Sequence, residues 1–229
     1  KDLYGIFPMI VGSIYVTAGA ILIGVPIGLL TAVYMARFCP KGLYRVVKPA
    51  VDLMAGIPSI VYGFFGLVVI VPMVQRLTGS SGKGLLTASL LLGIMILPTI
   101  IGVAETSIRA VPESYYEGSL ALGATHIETV FRVSVPAARS GIATAIVLGI
   151  GRAIGEAMAI IMVAGNVANM PGLLTPVRFL TTAIASEMSY ASVGSLHRNA
   201  LFSIGLVLFL FIMLINVFLN VFIKRKKED

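Results

Sequence analysis

Five long apolar stretches divide this sequence, and they decide what kind of fold the chain can form. A helix needs about 20 mainly apolar residues to cross a bilayer. Of the 229 residues 58% are hydrophobic and only 12% are charged, which is too little charge to cover the surface of a water-soluble domain. The sequence therefore predicts an all-α polytopic membrane protein. We place its transmembrane helices at residues 8–36, 57–74, 85–104, 141–164 and 200–223.

Lysine and arginine are distributed unevenly between the segments that separate these stretches. Eleven of them lie in residues 37–48, in residues 105–139 and in the C-terminal tail, whereas five lie in the alternate segments. Because cytoplasmic loops carry the excess of these residues, we predict residue 1 outside and the C-terminus in the cytoplasm. The net charge of +7 is then a topology signal, and we expect no nucleic acid as a partner. An odd number of spans with an outside start fits the loss of an upstream span.

Three of the connecting segments are predicted to have structure of their own. Residues 105–139, on the cytoplasmic side, are rich in Ala, Gly and Glu and predict short helices. Residues 166–197, on the outer side, predict a folded external or re-entrant segment. Residues 46–55 predict a helix lying at the membrane surface, ahead of a break at Ile57-Pro58-Ser59.

No catalytic or metal-binding constellation is visible in the sequence. The Gly-rich run 79–84 has Leu77 where a phosphate-binding loop requires its first Gly, and Gly84 where it requires Ser or Thr. His126 and His197 lack the spacing of metal ligands or of a nucleophile and its base. We therefore expect no enzymatic activity, no metal and no cofactor in this chain. If transport is powered, ATP or another energy source is used by a partner.

The predicted fourth span contains two opposite charges, Arg152 and Glu156. An arginine near the middle of a membrane helix costs about 2.5–3.5 kcal/mol on insertion scales, and it normally faces a protein interior or a wet pathway. Helical periodicity places both charges on a face of small residues, which suits a lined passage or a close helix approach. The alternative is that they neutralise each other or pin a neighbouring helix. Their order, base before acid, is the weaker one for a pair within a helix, which favours a role in moving a polar substrate.

The cytoplasmic segment contains a spaced motif. Glu117-Gly118-Ser119 is followed after three residues by Gly123, and after nine more by residues 133–136, Val-Ser-Val-Pro. This resembles the Glu-Ala-Ala signature of ABC-importer permeases, which continues with three residues, Gly, nine residues and Ile-x-Leu-Pro. The alternative is an ordinary amphipathic loop helix. The resemblance implies a coupling helix that docks on an ATPase through Glu117, Gly118, Ser119, Gly123 and Pro136.

Three further segments narrow the resemblance. Residues 55–63, 151–156 and 162–166 are similar to those of the phosphate-specific permeases, and the residues after Glu156 favour the PstC type over the PstA type. The similarity extends from Tyr4 to the tail. It implies a single transmembrane domain over residues 1–229 with the MetI-like importer permease fold. The implied function is the membrane-spanning subunit of an ATP-driven importer of inorganic phosphate.

The resemblance also implies partners and site residues. The partners are a second, PstA-like permease, a dimer of a cytoplasmic ABC ATPase, an external phosphate-binding protein and membrane lipid, in a prokaryotic inner (plasma) membrane. Arg152 offers paired donors that suit phosphate oxygens, and Glu156 competes with the anion for that guanidinium. Ser59, at the helix break, and Asn166 are placed beside the pathway. The alternatives are a permease for molybdate or sulfate, an ion-coupled secondary transporter and a channel.

Overall fold

The computed structural model describes residues 5–228, and the side chains up to residue 217. Four of its helices are long and apolar enough to cross a membrane, and a bent pair that meets at 69° supplies a fifth if it counts as one span. This confirms the prediction of an all-α polytopic membrane protein. The helices are α1 (Phe7–Phe38), α2 (Lys41–Gly56), α3 (Ser59–Thr78), α4 (Leu85–Arg109), α5 (Glu113–Ala121), α6 (His126–Ala137), α7 (Arg139–Gly155), α8 (Met158–Val163), α9 (Leu180–Glu187) and α10 (Leu196–Glu228).

Most helix ends lie beyond the apolar stretches that predicted them. α4 was expected to end at residue 104 but continues to Arg109, and α10 begins four residues before residue 200. The surface helix expected at residues 46–55 begins at Lys41. The reason is that a helix continues through polar residues for as long as its backbone hydrogen bonds can be made, whereas hydropathy marks only its apolar part.

The structure divides the predicted fourth span. α7 ends at Gly155, Glu156 is extended with φ −75° and ψ 127°, and α8 begins at Met158. Two hydrogen bonds stabilise this break, one to the side chain of Glu156 and one to its backbone carbonyl. The Glu156 Oε1 atom accepts a hydrogen bond from the Ala159 N–H at 3.1 Å, and the Glu156 carbonyl accepts one from Thr181 Oγ1 at 2.9 Å. Tertiary contacts therefore replace the helical hydrogen bonds that a single helix over residues 141–164 would have made.

α4 lies at the centre of the bundle. Its side chains Leu91, Ile96 and Ile100 are completely buried. α1 packs along one side of it so closely that a Cβ on Gly24 would lie 2.8 Å from the Gly93 carbonyl oxygen. α7 packs along another side, where a Cβ on Gly149 would lie 2.9 Å from Ile100. Small residues at these crossings let the helices approach closely, which is how helices associate in a bilayer.

The segment between α8 and α10 is folded against the ends of the helices. Val177 donates its N–H to the Ala164 carbonyl at 2.9 Å, and Leu86 donates to the Leu173 carbonyl at 3.0 Å. Leu180 is fully buried at the start of α9, and its N–H donates to Ser13 Oγ at 3.2 Å. The segment expected to be a folded connection over residues 166–197 is therefore attached to α1, α4 and α8.

Candidate functional site

Two helix breaks lie side by side in this fold. Gly63 of α3 contacts Ala159 of α8, where a Cβ would lie 2.8 Å from the Ala159 Cα, and Gly66 contacts Val163 in the same way. The two helices therefore run in the same direction and in register. One turn before these contacts, α3 begins at Ser59 and α7 ends at Gly155. Non-helical backbone inside a membrane protein is tolerated only where it is buried in protein or lines a cavity.

Arg152 lies in the last turn of α7, three residues before its end at Gly155. Its Nη1 atom donates a hydrogen bond to Thr99 Oγ1 of α4 at 3.2 Å, and the contact is partly buried. Thr99 directly follows Pro98 in the middle of the longest buried helix. This partner could not be predicted from the sequence, because the two residues are 53 positions apart and belong to different spans.

Arg152 and Glu156 do not form the ion pair that their spacing allows. Glu156 lies outside α7, and its carboxylate accepts from the Ala159 N–H at the start of α8. Among the residues that the structure describes, no carboxylate lies within ion-pair distance of Arg152. Glu156 instead places a negative charge at the N-terminus of α8, where the helix dipole favours it.

Ser59 begins α3 directly after the break at Ile57-Pro58. Its side chain is half-buried, and within residues 5–217 its hydroxyl has no hydrogen-bond partner. The break is bridged by the Tyr62 hydroxyl, which donates to the Met54 carbonyl of α2 at 2.8 Å. The register of α3 and α8 places Ser59 at the level of Gly155, beside the end of α7. The register therefore places Ser59 beside the end of α7, whose last turn carries Arg152.

Asn166 lies at the opposite end of α8 from Glu156. Its backbone has a positive φ of 54°, and its Nδ2 atom donates to the Ile161 carbonyl at 3.0 Å. Both features end the helix and turn the chain. The Asn166 Oδ1 atom is buried without a hydrogen-bond partner among the described residues. The structure thus separates Asn166 from Arg152 by the length of α8 and assigns it a visible role in the turn.

The first part of the cytoplasmic motif, from Glu117 to Gly123, forms a short exposed helix and the turn that follows it. No residue of α5 is buried, and Leu122 at its end is 91% exposed. Gly123 has a positive φ of 88°, which glycine adopts readily and other residues rarely adopt. Glu117 and Gly118 lie on the exposed side of α5, and Pro136 is exposed in α6. An exposed helix with an apolar tip fits a site for docking a partner protein.

The inner side of α5 is attached to the rest of the fold by three polar contacts. Ser119 Oγ lies 2.9 Å from Thr129 Oγ1, and the Tyr116 hydroxyl lies 2.6 Å from His126 Nδ1. Glu113 Oε2 accepts from Arg37 Nη1 of α1 at 3.1 Å. These contacts connect the exposed helix to both α6 and the end of α1.

A buried carboxylate at the end of α4 was not anticipated as a site. The Glu105 side chain is 2% exposed. Its Oε1 atom accepts from the Tyr44 hydroxyl at 2.6 Å and from Arg109 Nε at 2.7 Å, while Lys48 Nζ lies 3.2 Å from Oε2. Arg109 Nη2 also donates to the Met35 carbonyl at 2.7 Å. The cluster joins α1, α2 and α4, and its sequence signal was an acid four residues before a base at the end of an apolar run.

Glu105 changes the ionisation of the two α2 residues beside it. Its hydrogen bond raises the pKa of Tyr44 above the ordinary value. Partial burial lowers the pKa of Lys48, but the contact with the Glu105 carboxylate and its charge outweigh burial, so that this pKa is raised. Both shifts keep Tyr44 and Lys48 protonated, which is the state in which they hold Glu105.

Known proteins resemble this chain over almost its whole length. The family described as "Binding-protein-dependent transport system inner membrane component" matches residues 24–228. A probable ABC transporter permease protein, YqgH of Bacillus subtilis, is 43% identical over 218 residues, which are 93% of this chain and 71% of that protein. The phosphate transport system permease protein PstC of Mesorhizobium japonicum is 36% identical over 233 residues, or 93% and 71%. PstC of Haemophilus influenzae is 34% identical over 249 residues, or 100% and 78%.

Solved structures show the same fold. A chain of the MetNI methionine ABC transporter in an inward-facing conformation superposes with a TM-score of 0.72 at 22% identity, covering 96% of each chain. A chain of a bacterial ABC transporter that imports the acidic polysaccharide alginate superposes with a TM-score of 0.71 at 15% identity, covering 98% of this chain and 80% of that one. At these identities the likeness concerns the fold alone.

Proposed function

This chain belongs to the family of binding-protein-dependent transport system inner membrane components, and we propose that it carries inorganic phosphate into the cell. It is a permease subunit of an ABC importer and works with an ATPase and a substrate-binding protein. The fold is the MetI-like permease fold that the sequence predicted. The PstC proteins of Mesorhizobium japonicum and Haemophilus influenzae, which it resembles, are named for phosphate transport.

The observation that carries the phosphate proposal is the guanidinium of Arg152. It is partly buried between α7 and α4, its visible partner is the neutral hydroxyl of Thr99, and no described carboxylate neutralises it. A positive charge without a counter-ion in such surroundings attracts an anion strongly, because the low dielectric weakens the field less than water does. Phosphate fits the planar, paired N–H groups of arginine. Ser59 lies beside the end of α7 and borders the path on the α3 side.

Glu156 serves this path indirectly. Its carboxylate is engaged at the start of α8, so it shapes the break below which Arg152 lies and does not hold the guanidinium in the described state. Competition between Glu156 and phosphate for Arg152 therefore requires α7 and α8 to move relative to each other. Asn166 contributes at the far end of α8, where it closes the turn that returns the chain to the bundle.

The remaining subunits are assigned from the same family context. The second permease is PstA-like, the external partner is a phosphate-binding protein, and two copies of the ATPase dock on the cytoplasmic face. α5 is the coupling helix, with Glu117, Gly118, Ser119 and Gly123 at the contact and Pro136 in the element that carries its motion to α7. The exposure of α5 and its connection to α1 through Arg37 and Glu113 support this role. The excess of Lys and Arg supports residue 1 outside and the tail inside.

The test is phosphate uptake by the complete complex in vesicles that contain ATP, with phosphate-loaded binding protein added outside. Arg152→Gln is expected to abolish uptake while the complex still assembles with its ATPase. Arg76→Gln, which removes an exposed guanidinium from the end of α3, is the matched control and is expected to transport normally. Undiminished uptake by Arg152→Gln would remove this side chain from the path. Transport of molybdate or sulfate in place of phosphate by the unaltered complex would contradict the substrate, and uptake without ATP would contradict the ATP-driven mechanism.

A further inference from the structure

Thr99 does not make the hydrogen bond within its own helix that five other threonines of the described helices make. In α-helices a threonine commonly donates to the carbonyl four residues earlier in its own helix. Five threonines of the described helices do so at 2.7 to 2.9 Å, namely Thr17, Thr31, Thr78, Thr106 and Thr144. Thr99 does not. Its Oγ1 atom accepts the Arg152 guanidinium, and within the described residues that is its one polar contact.

This arrangement leaves a donor available beside Arg152. A hydroxyl has one O–H donor and two acceptor lone pairs, and the contact with Arg152 occupies an acceptor position. The proton of Thr99 is therefore not used by the protein. The guanidinium likewise uses one Nη1 donor, so its other N–H groups remain open to a ligand.

We propose that Thr99 is a second phosphate contact in the path, with its O–H donating to an oxygen of the anion that Arg152 holds. The proposal rests on the function proposed above. An oxyanion bound here accepts from Arg152 and from Thr99 at once, and the hydrogen bond between the two residues fixes their donors at one site. Linked hydrogen bonds of this kind polarise and strengthen one another.

A neutral second donor also suits transport better than a second cation. Two arginines would hold phosphate with two charge-assisted hydrogen bonds and slow its release. A hydroxyl adds a directional hydrogen bond to the anion but raises the affinity less than a second arginine would. Thr99 therefore contributes selectivity for an oxygen-rich anion without converting the path into a tight binding site.

The first test compares three variants in the reconstituted complex. Thr99→Val keeps the shape of the side chain and removes the hydroxyl, and it is expected to lower phosphate uptake by about tenfold or more. Thr99→Ser restores the hydroxyl and is expected to stay within about threefold of the unaltered complex. Thr106→Val is the matched control on the same helix, because its hydroxyl bonds only to the Gly102 carbonyl. Unchanged uptake by Thr99→Val, in a complex that Arg152→Gln inactivates, would overturn the role of Thr99 and leave the proposed function standing.

A second readout separates contact with phosphate from support of Arg152. In a Cys39→Ser background, Thr99→Cys provides the one thiol of the chain. We expect a water-soluble thiol reagent to label it during turnover, and phosphate-loaded binding protein to slow the labelling by about fivefold or more relative to unloaded protein. Labelling that phosphate does not change, or no labelling at all, would contradict contact with the anion. An unaltered complex that moves no phosphate would overturn the proposed function and this proposal together.

Discussion

Lys48 of α2 lies with its Nζ atom 3.2 Å from Oε2 of Glu105, a carboxylate at the end of α4 whose side chain is 2% exposed. α2 is otherwise a strongly amphipathic helix with a single fully buried residue, Val51. The contact with Glu105 is thus a main attachment of α2 to the bundle. Because the break at Ile57 follows directly after α2, this attachment also sets where α3 begins.

Replacement of Glu105 by Gln is expected to destabilise the protein by about 2–4 kcal/mol. The change removes the negative charge that Tyr44, Lys48 and Arg109 share, and hydrogen bonds to a buried charged group are among the stronger ones. The unfolding midpoint in detergent should fall by about 5–10 °C. Glu113→Gln is the control, since the Glu113 side chain is 61% exposed and its pair with Arg37 should be worth under about 1 kcal/mol. Equal midpoints for the two variants would refute the importance of the buried cluster.

Alkaline pH is expected to release α2. The pKa of Lys48 and that of Tyr44 are both raised by Glu105 in the folded protein. A raised pKa in the folded state means that the stabilisation is complete below the ordinary pKa and is lost as the pH rises through the folded one. The unfolding midpoint should therefore stay level through neutral pH and fall above about pH 10. Lys48→Met combined with Tyr44→Phe should flatten that fall, and a decline of the same size in the double variant would assign it to other groups.

Gly63 is expected to tolerate no side chain. A Cβ there would lie 2.8 Å from the Ala159 Cα and 3.0 Å from the Ala159 carbonyl oxygen, and backbone cannot move aside as a side chain can. Gly63→Ala should separate α3 from α8, lower the unfolding midpoint and reduce phosphate uptake. Gly102→Ala is the contrasting change in α4, where a Cβ meets nothing within 4 Å. It should be neutral or stabilise by up to about 1 kcal/mol. Thermal scans and uptake assays on both variants test this prediction. A larger loss of stability or of uptake in Gly102→Ala than in Gly63→Ala would contradict it.

Gly123 is expected to matter for coupling. Gly123→Trp places a large side chain beside the exposed end of α5 and forces a non-glycine residue into a φ of 88°. We predict that ATP hydrolysis is no longer coupled to phosphate transport in this variant. The measurement is the ratio of the rate of ATP hydrolysis to the rate of transport in vesicles. Gly123→Asn separates bulk from backbone strain, because asparagine adopts positive φ more easily. It should keep most of the coupling, and Gly42→Ala, which lies in α2 outside the motif and meets nothing within 4 Å, should keep all of it. A normal ratio in Gly123→Trp would reject α5 as the docking helix.

Hydropathy was enough to predict the four single helices that are long and apolar enough to cross a membrane, because each of them contains one continuous apolar run. It could not predict the break at Glu156. The apolar run continues through residues 141–164 without a proline, and a charge at i+4 from Arg152 is compatible with one helix. The break depends on Thr181 and on the N-terminus of α8, which are contacts of the folded chain.

The partners of the charged side chains were also beyond the sequence. The sequence singles out Arg152 as an unusual charge in an apolar run, but it does not single out Thr99, because a threonine in an apolar helix carries no signal of its own. Glu105 was read as the first residue of a cytoplasmic segment, although its neighbours from α2 bury it. In both cases the missing information is which faces of separate helices meet, and this is decided by close packing at glycines such as Gly149 and Gly24.

The glycine contacts of α3 with α8 have a mechanical meaning. Gly63 and Gly66 bring the two helices into direct contact, so α3 and α8 cannot approach each other further. The breaks before Ser59 and after Gly155 lie at the same end of this contact. A side chain added at either glycine would push α8 away from α3, so the spacing between the two breaks depends on residues that carry no side chain at all.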